Sequence, residues 1–200
     1  GVDEGRLSLA GAVADLDPAE GPFLVLDIGG GSTELVAGDG PRDPGLAAVS
    51  LQLGCVRVSE RFLGTDPPTA GELAAARSEV DAQLERAVGD HPRFASSHRL
   101  VGLAGTVSTL VSLHLGMATY DRDLVHHAVL TADDVRRWYE ELAADTAADR
   151  LARPGMVPGR QDVIVGGALI LDAVMERLGF TECLVSESDI LDGLVASQLT

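Results

Sequence analysis

The chain has 200 residues, 46% of them hydrophobic, enough to bury the core of one large domain or two small lobes. Its formal net charge is −16, and all 15 basic residues are Arg. That balance argues against nucleic acid as a partner, because such affinity comes mostly from neutralised phosphates. A membrane partner is not expected either, since no apolar run approaches the ~20 residues of a membrane span, and no secretory signal is visible.

Cys55 and Cys183 have no second Cys or His at metal-ligand spacing. They read as buried small hydrophobes, with no disulfide framework, which fits a reducing cytoplasm. An acidic chain that handled a polyanion would need locally placed Arg, backbone N–H groups or a metal ion.

In chain order, residues 3–13 form a candidate helix. Phe23 to Ile28 is a short apolar run ending in glycines and reads as a buried strand. Thr33 to Ala37 reads as a second strand, Gly38-Asp39-Gly40-Pro41 as a turn, and Ala47 to Leu53 as a third strand. Thr69 and Glu72 make a capping box, and behind them Leu73, Ala76, Val80, Leu84 and Val88 trace one helical stripe. Arg99 to Leu103 predicts a buried strand running into a glycine turn, with a helix over Thr106 to Leu115. Val125 to Leu130 is extended or irregular. Thr131 caps a helix that runs through Trp138 to about Ala144. A loop holds Pro154, Gly155, Pro158 and Gly159, followed by a helix from Asp162 to Leu178 that is apolar on nearly every side. Cys183 to Val185 is a short core strand, and Ser186 and Asp189 open a last helix over Ile190 to Leu199. Three antiparallel strands followed by helical crossovers predict an α/β domain with a mixed sheet and helices on both faces. No break divides the 200 residues into independent units.

Asp27-Ile28-Gly29-Gly30-Gly31-Ser32-Thr33-Glu34 carries the strongest chemical signal. A carboxylate ending a buried strand requires a partner. Three glycines let the backbone turn sharply, and their N–H groups can converge on phosphate oxygens. Ser32 and Thr33 add hydroxyls. Asp27 and Glu34 beside such a cradle suit Mg²⁺ or another divalent cation. Gly102-Leu103-Ala104-Gly105-Thr106 is a weaker second candidate, a glycine turn at a helix N-terminus. Taken alone, Asp3-Glu4 and Arg6 read as a charged helix end. None of the five histidines has ligand spacing, and His126 and His127, in an extended segment, would point to opposite faces.

Together these pieces resemble the exopolyphosphatase / pppGpp phosphohydrolase (Ppx/GppA) family of the actin-like ATPase superfamily. The resemblance rests on Asp27 through Glu34 with Leu35-Val36, then Gly102–Thr106, Pro158 through Ile164, and Val185-Ser186-Glu187 with Gly193, all in the family's order. It is closest to the short actinobacterial members. It implies an actin-like ATPase (ribonuclease H-like) fold and two lobes with the site between them. This chain is then the C-terminal lobe, with the N-terminal lobe lying before Gly1.

The resemblance also matches Gly1 to Leu7 to the family's Gly-x-Glu-Glu-Ala-Arg-Leu segment, which makes Glu4 the catalytic base. Gly5 replaces the family's Ala, and Leu191 stands where many relatives have Arg. The implied substrate is polyphosphate or pppGpp, and a homodimer is a further expectation. In this reading Gly29, Gly30, Gly31, Ser32 and Thr33 hold the terminal phosphate, with Gly102, Gly105 and Thr106 as a second phosphate contact. Asp27 and Glu34 hold the metal. The rival readings are a nucleotide-binding half of an actin-like kinase or chaperone, and a lobe that binds phosphate without turnover.

Overall fold

The computed structural model describes residues 2–40 and 42–188, with side chains from residue 5 onward. It opens with helix α1 (Val2–Ala12), followed by strands β1 (Phe23–Ile28), β2 (Thr33–Gly38) and β3 (Ala47–Leu51). Helices α2 (Cys55–Phe62) and α3 (Ala70–Asp90) lead to strand β4 (Arg99–Leu103). Helices α4 (Ala104–His114) and α5 (Arg122–Val125) precede edge strand β5 (Val129–Thr131). Helices α6 (Ala132–Ala144), α7 (Ala147–Ala152) and α8 (Ile164–Leu178) then return the chain to strand β6 (Glu182–Val185). The expected helix over Ile190 to Leu199, with Asp189, Leu191 and Gly193, lies outside the described residues.

The six strands form one sheet in the order β3-β2-β1-β4-β6-β5. β1, β2 and β3 pair antiparallel, β1, β4 and β6 run parallel, and β5 closes the edge antiparallel to β6. Alternation along the strands divides the core between two faces. Leu24, Leu26, Ile28, Leu35 and Leu100 enter a large cluster with α2, α3, α4, α6 and α8. Phe23, Val25, Val36, Val101 and Leu103 point the other way, onto Leu9 and Ala12 of α1. The sheet is thus covered on both faces, as the strand pattern predicts.

Helix α8 is buried all round except for its charged residues near the C-terminus. Its one buried carboxylate, Asp172, accepts from Arg77 Nη1 at 2.7 Å and Arg136 Nε at 3.3 Å. These bonds meet the requirement that an ion in a low-dielectric core be paired. No helix among the described residues is long and apolar enough to cross a membrane.

Three short helices depart from the sequence-based expectation. α2 follows Gly54, which has no side chain to cap it. α5 precedes the segment read as extended or irregular and ends at its first residue, Val125. α7 carries a capping box, Thr146 with Asp149, too brief to stand out against its loop. His126 and His127 also depart: His127 adopts φ +64°, so the segment is not extended there and the two rings stack at 3.9 Å between centroids.

The capping box of α3 forms as predicted, with Thr69 Oγ1 accepting from the Glu72 N–H and Glu72 accepting from the Thr69 N–H. Hydrogen bonds from Thr65 and Thr69 hold the Glu72 carboxyl down at about 2, below its ordinary 4.5. A depressed carboxyl stabilises the fold above its unfolded-state value and loses that contribution as pH falls through its folded value. Glu72→Gln is therefore expected to lower the urea midpoint at pH 6. The gap to the parent protein should shrink between pH 5 and pH 2, as read by circular dichroism.

Candidate functional site: a glycine turn at the carboxyl edge of the sheet

β1 delivers Asp27 to the carboxyl edge of the sheet, where β2 leaves the glycine turn with Glu34 directly opposite it. Both carboxylates lie on the α1 face, in phase with Val25 and Val36. Like charges directly across an antiparallel pair repel, so the arrangement invites a cation. Ser50 of β3, opposite Glu34, donates to its Oε1 at 2.7 Å and fixes one oxygen. On this face the α1 backbone comes close to β2 and β3. A Cβ at Gly5 would lie 2.9 Å from that of Ala48, so the Gly that replaces the family's Ala lets the helix sit this near. Glu4 belongs to α1 beside Gly5, and its side chain lies outside the described residues.

The turn itself is oriented by α2. The first N–H groups of that helix donate to the turn: Cys55 to Gly29 O at 2.9 Å, and Val56 and Arg57 to Gly30 O at 3.0 Å. Arg57 Nε adds a bond to Gly31 O at 2.7 Å. In a trans peptide the C=O and the following N–H point in opposite directions. With the Gly29 and Gly30 carbonyls turned to α2, the N–H groups of Gly30 and Gly31 face away from it. The Gly29 N–H closes the turn on Ser32 O at 3.0 Å. The sequence reading missed α2, and with it the element that aims these amides.

Gly54 makes that contact possible. A Cβ there would sit 2.3 Å from Gly30 O and 2.6 Å from Gly31 N.

Thr33 differs from its neighbours. Its side chain is fully buried on the opposite face from Asp27 and Glu34, and its hydroxyl has no hydrogen-bond partner among the described residues. Ser32 and Gly29 are half-buried, while Gly30 and Gly31 are exposed.

The second glycine segment is not a turn of several residues. β4 passes straight into α4 at Ala104, which takes φ +68°. Leu103 lies opposite Asp27, so the start of α4 stands beside the glycine turn. Gly102 is inside the strand, where a Cβ would meet Cys183 Sγ at 2.8 Å and Val107 at 2.9 Å. Thr106 is buried against Gly167 of α8, its hydroxyl also without a partner among the described residues. Gly105 remains accessible, and the Arg160 guanidinium occupies the space its Cβ would take. The first turn of α8 wedges between α2 and α4, with Gly166 against Cys55 O and Ser59 and Gly167 against Thr106. Three helices therefore begin at one edge, and their partial positive ends favour an anion there.

Arg57 and Arg160 supply the local cations that an acidic chain needs for a polyanion. Neither has a sequence signal of its own; Arg160 stood out only as part of a family segment. Ser186 is stitched to the same edge, its N–H donating to Gly102 O at 3.0 Å. Glu187 hydrogen-bonds Tyr120, whose phenol is pushed up to about 12, first by burial and then by this carboxylate. Cys183 is fully buried, which pushes its thiol up to about 12 and leaves it a packing residue.

Gly54→Ala is expected to destabilise the fold by about 1–3 kcal/mol, the usual cost of overpacking. The amide signals of Gly30 and Gly31 in an NMR spectrum should shift, because the added methyl pushes α2 off the turn. Unchanged stability and unchanged amide shifts would remove α2 as the element that sets the turn.

The chain matches the Ppx/GppA phosphatase family model over residues 1–200. It is 41% identical over 201 residues to "Exopolyphosphatase 2" of Mycobacterium tuberculosis, covering 98% of this chain and 62% of that relative. Among solved structures it is similar to an exopolyphosphatase-like protein, with a TM-score of 0.90 at 31% identity over 100% of this chain and 68% of that one. It is also similar to the type II variant of the Aquifex aeolicus Ppx/GppA phosphatase, with a TM-score of 0.87 at 28% identity, covering 98% of this chain and 63% of that one. The chain thus spans less than two thirds of the length of the curated relatives named here, and its sheet and helices have the actin-like ATPase fold of its structural neighbours. By its sequence and by its fold, this chain belongs to the Ppx/GppA phosphatase family.

Proposed function

We propose that this chain is the phosphate- and metal-binding C-terminal lobe of an exopolyphosphatase, which removes the terminal phosphate of inorganic polyphosphate as orthophosphate. The observation that carries the reading is the placement of Asp27 opposite Glu34, beside a turn whose Gly30 and Gly31 N–H groups face away from α2. Similarity to the M. tuberculosis exopolyphosphatase supports the substrate class.

The residues fit a hard divalent cation, for which Mg²⁺ is the candidate. Two carboxylate side chains lie face to face, oxygen donors of the kind such an ion prefers. When bound, the ion would neutralise charge on the phosphoryl group in flight. Gly30 and Gly31 would donate backbone hydrogen bonds to the terminal phosphate, at a position fixed before substrate arrives. Arg57 and Arg160 would hold the following phosphates of the chain, where their charges offset the acidic field of the protein. Ser50 keeps Glu34 oriented across the strand pair. Glu4, through the family resemblance, would take the proton of the attacking water. α1, the helix that contains Glu4, packs on the sheet face that also holds Asp27 and Glu34. The other lobe would close the cleft from the opposite side, and a homodimer and a cytoplasmic location belong to the same proposal.

Hydrolysis of pppGpp to ppGpp uses the same bond chemistry and is the second reading, placed second because the curated relative named above is an exopolyphosphatase. Phosphate release from polyphosphate and from pppGpp by the full-length protein, with and without Mg²⁺, separates the two. We expect faster release from polyphosphate and loss of turnover on chelation. Glu4→Gln should lower kcat by 100-fold or more while retaining substrate binding. Near-normal turnover in that variant would sink its role. Asp27→Asn should raise the Mg²⁺ concentration needed for half-maximal rate.

A further inference from the structure

A second cluster of metal-ligating side chains lies away from Asp27 and Glu34. Asp15, in the connection from α1 to β1, meets His126 and His127, at the junction of α5 and β5. His126 Nε2 lies 3.0 Å from Asp15 Oδ2, and His127 Nε2 lies 3.4 Å from Asp15 Oδ1. One donor atom from each residue falls within 4.8 Å of the other two. Ligand atoms around a tetrahedral Zn²⁺ are about 3.4 Å apart, as Zn–N and Zn–O bonds of roughly 2.1 Å require. Both spacings lie close to that value, so a small shift of the side chains admits an ion.

Neighbouring residues do not ordinarily aim their rings at one point. Here the left-handed backbone of His127, φ +64°, turns both imidazoles to the same side. The conformation is uncommon for a residue with a Cβ. It is secured by the His127 N–H, which donates to Val185 O at 2.7 Å. All three side chains are partly open to solvent, so a hydrated ion can reach them. Burial raises the Asp15 carboxyl, but the hydrogen bonds from His126 and from a backbone N–H more than offset it and hold the group below its usual range.

We propose that Asp15, His126 and His127 form a binding site for a divalent transition cation of the Zn²⁺ class, separate from the oxygen site at Asp27 and Glu34. Two imidazole nitrogens and one carboxylate select against Mg²⁺, which prefers oxygen. Binding is coupled to the C-terminal end of β6. His126 Nδ1 accepts the Glu187 N–H at 3.1 Å, so the ring carries its proton on Nε2, which faces Asp15. A cation on Nε2 displaces that proton, and the neutral ring then holds one on Nδ1. The Glu187 N–H loses its acceptor. Arg122, which donates to Glu187 O, and Tyr120, on its carboxylate, remain as its holds. The cation would thus loosen Glu187, next to the Ser186 that is bonded to Gly102.

Titration calorimetry of the purified chain with ZnCl₂ in excess Mg²⁺ tests the site. The parent protein should bind one equivalent. His127→Gly, whose backbone accepts φ +64° without strain, and Asp15→Asn should each weaken binding at least ten-fold. Asp27→Asn should leave it unchanged. Zn²⁺ affinity equal to the parent's in either His127→Gly or Asp15→Asn, or no uptake by the parent, would overturn the site. Hydrogen exchange at the Glu187 amide should accelerate on Zn²⁺ binding; unchanged protection would overturn the coupling.

Discussion

The N–H groups that open α2 donate to the carbonyls of Gly29 and Gly30, and this contact sets the direction of the Gly29–Gly30 and Gly30–Gly31 peptides. A three-glycine turn has wide conformational freedom. Its backbone could present carbonyls or amides to a ligand, with opposite consequences for an anion. Capture of the carbonyls by a helix N-terminus removes that choice before any ligand arrives, and such preorganisation is what gives fixed dipoles their value at a developing charge. The contact depends in turn on Gly54, because any side chain there would overlap the Gly30–Gly31 peptide.

The rest of the edge is built around that turn. β1–β2 pairing sets Asp27 against Glu34, and β1–β4 pairing brings the start of α4 alongside. α8 holds α2 and α4 together through Gly166 and Gly167, two positions where only a missing Cβ allows the approach. On the other face Gly5 lets α1 close on β3. α1 therefore packs on the same side of the sheet as the two carboxylates. Glycine is used here for proximity more than for unusual dihedral angles.

A net charge of −16 sets a second constraint. A polyanion reaching this surface meets a repulsive field, and favourable charge must be concentrated where it docks. Helix N-termini, Arg57 and Arg160 lie at one edge, where in the proposed function they would provide that concentration. The Asp15–His126–His127 cluster has different chemistry, since imidazole nitrogen rather than carboxylate oxygen dominates it. The two clusters thus separate by donor type.

The sequence by itself determined the three antiparallel strands, the capping box of α3, the Thr131 cap of α6, the buried α8, and the Asp27–Glu34 turn, because each rests on local periodicity or on side chains adjacent in the chain. The role proposed for Glu4 rests only on the family resemblance, since a Glu in a charged helix end carries no local mark. Tertiary structure alone decided how the turn's amides point, because α2 is a short helix without a capping side chain. It also assigned Gly102 and Thr106 to packing against residues more than 50 positions away. Thr33 sits next to Glu34 in sequence yet faces the opposite core, a consequence of strand alternation that matters only once the site's face is known. The convergence of Asp15 with His126 and His127 across more than 100 residues needed both the sheet order and one left-handed residue. Contacts of that range leave no periodic trace in a single sequence, because they are fixed by the packing of elements and not by the pattern within any one of them.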